Sequence, residues 1–159
     1  MRKIWATVLG GATAGLLDIL SAYASLAPRG ISPLQINQFI AGAVIGPSAA
    51  SAGGSTTALL GLGVHFSLTT LMAGIFVAVS QRLPTLLRYP WYSGLTYGAL
   101  IYFVMNYVAV PLTAVQGWKL PHGWAIVAGL LAHCFYVGTP IAFIARAFLG
   151  EQSASRPLE

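Results

Sequence analysis

The chain has 159 residues, of which 57% are hydrophobic and only 7% charged; eight Lys and Arg against three Asp and Glu give a net charge of +5. A soluble domain typically carries about 25% charged residues, so a water-soluble surface is excluded, and the length accommodates about four membrane-spanning helices but no separate soluble catalytic domain. The basic residues stand singly at the ends of apolar runs, which makes them topology signals; no nucleic-acid partner is expected, and the lone Cys134 excludes a disulfide within the chain.

Arg2 and Lys3 precede the first apolar run, residues 4–27, which superficially resembles a secretory signal, down to the small-residue site Ala22-Tyr23-Ala24. The run is too long for such a signal and contains Asp18, so it is assigned as the first span. Gly11, Gly15, Asp18, Ala22 and Ser25 recur at three- and four-residue spacing, forming a stripe of small and polar residues among bulky ones. Pro28-Arg29-Gly30 ends the helix.

Ser32-Pro33-Leu34-Gln35 then supplies an N-cap, a proline at the first helical position and a capping-box glutamine. The helix that starts here, about 33–46, is too short to span and stops at Gly46-Pro47. Ile36, Phe39, Ile40, Ala43 and Val44 make an apolar face, with Gln35, Asn37 and Gln38 elsewhere. The pattern predicts an amphipathic or re-entrant helix whose apolar face covers the bundle or the interface while its polar residues meet headgroups and water. The run SAASAGGSTT reads as a flexible hinge, and the short helix as a lid swinging on Gly53 and Gly54 or as a fixed shield.

The second span, 57–80, carries His65 with Gly61 four residues before it and Thr69 four after. A basic loop with Arg82 and Arg88 follows, and Tyr89, Trp91 and Tyr92 mark an interfacial aromatic belt. The third span, 91–115, contains Gly94 and Gly98 as a GxxxG step, continued on the same face by Tyr102 and Asn106, with Pro111 as a kink. Trp118 and Trp124 flank the next connection. The fourth span, 124–148, holds His133 and a second kink at Pro140; residues 150–159 read as a polar, disordered tail. The expected fold is therefore a four-helix transmembrane bundle plus one short helix. With both termini inside, Arg2, Lys3, Arg82, Arg88, Arg146 and Arg156 lie on the inner side, and Arg29 and Lys119 on the outer.

In this topology Asp18, His65, Asn106 and His133 each lie about nine residues from the outer end of their span, about 13 Å deep at 1.5 Å per residue. Burying these groups in hydrocarbon is costly, so they should face inward as a polar site open to the outer side, with Tyr102 and Thr69 beside it. Such a site could bind or move a small ligand, an ion or proton, or a lipid. The same residues allow plain interhelical hydrogen bonding, in a scaffold that grips partner helices or a second copy of itself through its GxxxG faces. They also allow metal or paired-histidine haem ligation by His65 and His133, although no HxxxH, HxxE or Cys cluster accompanies them. Ser67 and Cys134 adjoin histidines in sequence, but helical neighbours one or two apart do not face each other, so no catalytic residue is assigned.

Spans one and three both open with GxxxG, at Gly11/Gly15 and Gly94/Gly98, while spans two and four both carry GxxxH, at Gly61/His65 and Gly129/His133. Two helical hairpins in the same orientation account for this. The segments AGLLDIL, LLGLGVHFSL, GLTYGALIYFVMNYVAVPL and AHCFYVGTPIA, spread over most of residues 10–148, resemble the small four-span bacterial inner-membrane proteins related to YagU. His65, Gly94, Gly98, Pro111 and His133 carry the likeness; Asp18 and Asn106 match a narrower set of relatives, and YagU itself has longer loops. The resemblance implies a bacterial inner membrane and a four-helix core, and it transfers no activity.

Overall fold

The computed structural model describes residues 1–115 and 120–154, with side chains through residue 150. All regular structure among them is helical. Four stretches are long and apolar enough to cross a bilayer: Arg2–Arg29, Gly54–Ser80, Pro90–Leu112 and Trp124–Gly150. Leu20, Leu59, Leu71, Leu100 and Val127 are exposed along them, a surface suited to lipid and not to water. The chain is an all-α, multi-pass integral membrane protein.

The first span is α1 (Arg2–Leu26), which a 3₁₀ turn over Ala27–Arg29 closes. After it come α2 (Pro33–Ile45), α3 (Pro47–Ala52) and α4 (Gly54–Ser80), the second span. A short helix, α5 (Thr85–Arg88), leads into α6 (Pro90–Val104), which continues as a π-helical turn, Met105–Ala109, and a 3₁₀ turn, Val110–Leu112. The fourth span is α7 (Trp124–Ala132), a π-helical segment His133–Gly138, and α8 (Thr139–Ala154). Helix α8 thus extends beyond the end expected at 148. Residues 155–159 of the expected tail, with Arg156, lie outside the described residues, as do Trp118 and Lys119.

Proline explains both π segments. Pro111 and Pro140 have no N–H for the carbonyl four residues back, and their rings crowd it; in each span the turns just before the proline widen instead. Thr139 helps in the fourth span by donating from Oγ1 to the Cys134 carbonyl at 2.8 Å.

Small residues set the helix order. A Cβ placed on Gly11 would lie 2.4 Å from the Thr70 Cα, and one on Gly15 would lie 2.7 Å from Thr69 Oγ1, so α1 and α4 pack antiparallel at the closest range that glycine permits. The second hairpin repeats the device: a Cβ on Gly94 would meet the Thr139 Cα at 2.7 Å, and one on Gly98 the His133 carbonyl oxygen at 2.3 Å. Helix α1 also packs along α8, so the hairpins join through spans one and four. Spans two and three meet through side chains. The Tyr97 hydroxyl donates to the Met72 carbonyl at 2.7 Å, and its ring lies 5.2 Å from that of Phe76. Ala6, Ala14, Ala73, Ala142 and Ala145 are almost fully buried, which matches a core held by close backbone approach.

Two expectations for the segment between spans one and two are corrected. The capping box forms: Ser32 Oγ accepts from the Gln35 amide at 3.3 Å, and the Ser32 amide donates to Gln35 Oε1 at 2.8 Å. The helix beyond it, however, does not turn Asn37 and Gln38 toward headgroups and water. Asn37 and Gln38 are buried together with Ile36, Ala41 and Gly42, while Phe39, Val44 and Ile45 are exposed. Hydrocarbon inverts the soluble rule, because a polar side chain in lipid lacks partners and an apolar one costs nothing there. The run after it is mostly not an irregular hinge. Gly46, at φ 84°, lets Pro47 start α3 immediately, and Gly54, at φ 57°, turns the chain into α4.

Candidate functional site

Helix α2 packs along α4 and touches the end of α1. At one end Asn37 meets the first span, its Nδ2 and Oδ1 lying 2.9 and 3.0 Å from the Tyr23 hydroxyl. Below, the Asn37 carbonyl sits so close to α4 that a Cβ on Gly61 would lie 1.8 Å from it. Gln38 donates from Nε2 to the Gly54 carbonyl at 3.0 Å, fastening α2 to the start of α4. At the far end the Ala43 carbonyl accepts from the Ala114 amide at 3.3 Å, just past the third span.

The six polar residues singled out in the spans fall into two sets and one solitary member. His65, Thr69 and Gly15 form the first set, between α1 and α4. His65 Nε2 lies 2.9 Å from the Gly15 carbonyl oxygen, and its ring meets Phe66 edge-on at 5.6 Å. A carbonyl only accepts, so Nε2 carries the proton and, in the neutral ring, Nδ1 keeps a lone pair. Thr69 Oγ1 donates to the Phe66 carbonyl at 3.1 Å and packs on Gly15.

Tyr102, Asn106 and His133 form the second set, between the third and fourth spans. The Tyr102 and His133 rings lie 5.5 Å apart, edge to face, and the Tyr102 ring occupies the space left by Gly129. His133 Nδ1 lies 2.9 Å from the Gly129 carbonyl of its own helix, which leaves Nε2 as the acceptor of the neutral ring. Asn106 Nδ2 donates to the Tyr102 carbonyl at 2.9 Å. Both helices are π-wound here: Asn106 lies within one widened segment and His133 begins the other. Tyr102 is 1% exposed, yet its hydroxyl has no hydrogen-bond partner among the described residues.

Asp18 joins neither set. It is half-buried on α1, and its carboxylate makes no hydrogen bond or ion pair among the described residues; only its main-chain carbonyl is engaged, by Ser21 Oγ at 2.8 Å.

Among the described residues no three of His, Cys, Asp and Glu stand close enough to share a metal ion, and the two imidazoles belong to different helix pairs, His65 to α1 and α4 and His133 to the third and fourth spans. The sequence reading missed that Asn37 and Gln38 are buried and that Asn37 pairs with the half-buried Tyr23. The usable signal was the adjacent Asn37-Gln38 pair in a helix bounded by caps and otherwise apolar, which in lipid marks the inward face. Compared with protein-family models, characterised proteins and solved structures, the chain matches none.

Proposed function

We propose that this membrane protein binds or moves a small ligand, an ion or proton, or a lipid at a polar site within the bundle formed around Tyr102, Asn106 and His133, with His65 and Thr69, and Asp18, standing apart from it. The site opens to the periplasmic side of a bacterial inner membrane, and both termini lie in the cytoplasm. The basic residues Arg2, Lys3, Arg82, Arg88 and Arg146, gathered at the ends of spans opposite Arg29, support that orientation. That compartment is the one a resemblance to YagU-related proteins implies.

One observation carries the reading: the Tyr102 hydroxyl, fully buried beside His133 and without a hydrogen-bond partner among the described residues. Leaving such a group unsatisfied costs about 1–3 kcal/mol, so a guest that pairs with it gains what the apo fold lacks. The π turns on both helices supply loosened backbone at the same place, a frequent accompaniment of function.

The competing scaffold reading needs free small-residue faces for partner helices. Gly11, Gly15, Gly94 and Gly98 are buried inside the chain, which disfavours it in that form. The decisive experiment compares native mass spectra and melting of the purified wild type and Tyr102→Phe. Loss of a copurifying species, or of ligand-induced stabilisation, in Tyr102→Phe is the expected result. An empty wild type that melts about 1 kcal/mol below Tyr102→Phe, with no guest restoring it, would sink the site and leave a packing defect.

A further inference from the structure

The ends of α1, α4, α6 and α8 that gather Arg2, Lys3, Arg82, Arg88 and Arg146 also carry a groove unrelated to the polar site. It runs between α5 and α6 and is lined by Thr85, Leu86, Tyr89, Tyr92, Ser93 and Thr96. Its walls are fixed. Leu87 of α5 is 2% exposed, α5 packs against α8, and the Ser93 hydroxyl donates to the Leu86 carbonyl at 2.7 Å, tying α5 to α6.

The Ser93 and Thr96 hydroxyls along the groove are already spent on the main chain. Ser93 also reaches the Tyr89 carbonyl, and Thr96 Oγ1 is held by the carbonyls of Tyr92 and Ser93. To a guest the lining is therefore mostly hydrocarbon and ring faces, with little to attract a water-soluble polar molecule. The mouth differs. The Arg88 guanidinium lies over the Tyr89 ring, 5.4 Å from its centroid, which holds a planar cationic fork at the edge of the groove. Tyr89, Trp91 and Tyr92 are all exposed at this level, as aromatic residues at a bilayer interface are.

We propose that the α5–α6 groove binds one anionic phospholipid, an acyl chain lying along Leu86, Tyr92 and Thr96 and the phosphate paired with Arg88. Guanidinium matches phosphate oxygens in two parallel hydrogen bonds, and the apolar groove continues from that point into the membrane. The preference for a net negative lipid follows from the other basic residues at this end. A zwitterionic headgroup brings its own ammonium into their field, whereas an anionic one does not.

The test is native mass spectrometry of the full-length protein in detergent, titrated with phosphatidylglycerol or with phosphatidylcholine of the same chains. One phosphatidylglycerol should be retained at least fivefold more strongly than phosphatidylcholine. Arg88→Gln should remove that preference and Arg88→Lys keep part of it, while Arg29→Gln, at the other end, changes nothing; melting curves establish that each variant is folded. Thr96→Trp, which fills the groove without altering charge, should also reduce retention. Equal retention of the two lipids, full retention by folded Arg88→Gln, or displacement of the lipid by millimolar inorganic phosphate would overturn the proposal.

Discussion

His65 and Gly15 are joined across two spans by a 2.9 Å contact between imidazole Nε2 and a main-chain carbonyl oxygen. The contact exists because Gly15 has no side chain to stand between the helices: a Cβ there would be 2.8 Å from the Phe66 ring and 2.7 Å from Thr69 Oγ1. The hydrogen bond and the close packing are two aspects of one arrangement.

Removing the imidazole should therefore cost stability whatever else His65 does. His65→Leu loses one interhelical hydrogen bond in lipid, typically about 0.6 and at most about 2 kcal/mol, and should lower the unfolding free energy in detergent by that order. His65→Gln, which can still donate, should recover part of it. If Leu were as stable as wild type and Gln less so, the hydrogen bond would not be holding the hairpin.

The glycines should rank by what their missing Cβ would strike. Gly98→Ala places a methyl 2.3 Å from the His133 carbonyl oxygen and 2.5 Å from the Cys134 Cα, atoms that move only if whole helices separate. Gly15→Ala meets side chains that can rotate, and Gly63→Ala meets nothing within 4 Å. Overpacking costs about 1–3 kcal/mol or more, so melting should fall most for Gly98, less for Gly15 and not at all for Gly63. Equal losses at all three would refute the proposed packing.

The inward face of α2 is tested by Asn37. On a water-facing helix Asn37→Leu would be harmless; here it strands the Tyr23 hydroxyl and should cost about 1–3 kcal/mol. A double-mutant cycle with Tyr23→Phe should return a coupling of about 0.5 kcal/mol or more. Phe39→Ala, on the exposed face, should be nearly neutral by comparison. Additive effects at Tyr23 and Asn37 would remove the pair.

Orientation and the fit of α2 can be read by labelling. In a Cys134→Ser background, single cysteines at Gln35, Asn37 and Ala41 should divide, with Gln35 modified by a membrane-impermeant maleimide from the periplasmic side and the two buried positions resistant. Labelling of Gln35→Cys only after the cytoplasmic face is opened would reverse the topology. Uniform labelling at all three would mean that α2 does not dock.

The sequence by itself determined the class of molecule and its spans, because length and hydropathy bear directly on whether a backbone can cross hydrocarbon. It also marked the α2 start, through a capping box whose bonds are local, and the residues that a membrane helix does not carry cheaply, such as His65, Asn106 and His133. Tertiary structure alone decided where those residues turn. It placed His65 on a carbonyl of α1 and Tyr102 against His133, and it put Asn37 inward and Phe39 outward. Helical periodicity defines two faces but not which of them meets a neighbour. That choice depends on where a glycine, such as Gly15, Gly61 or Gly98, lets another backbone come close, and on the partners that a buried polar group then finds or, like the Tyr102 hydroxyl, lacks among the described residues.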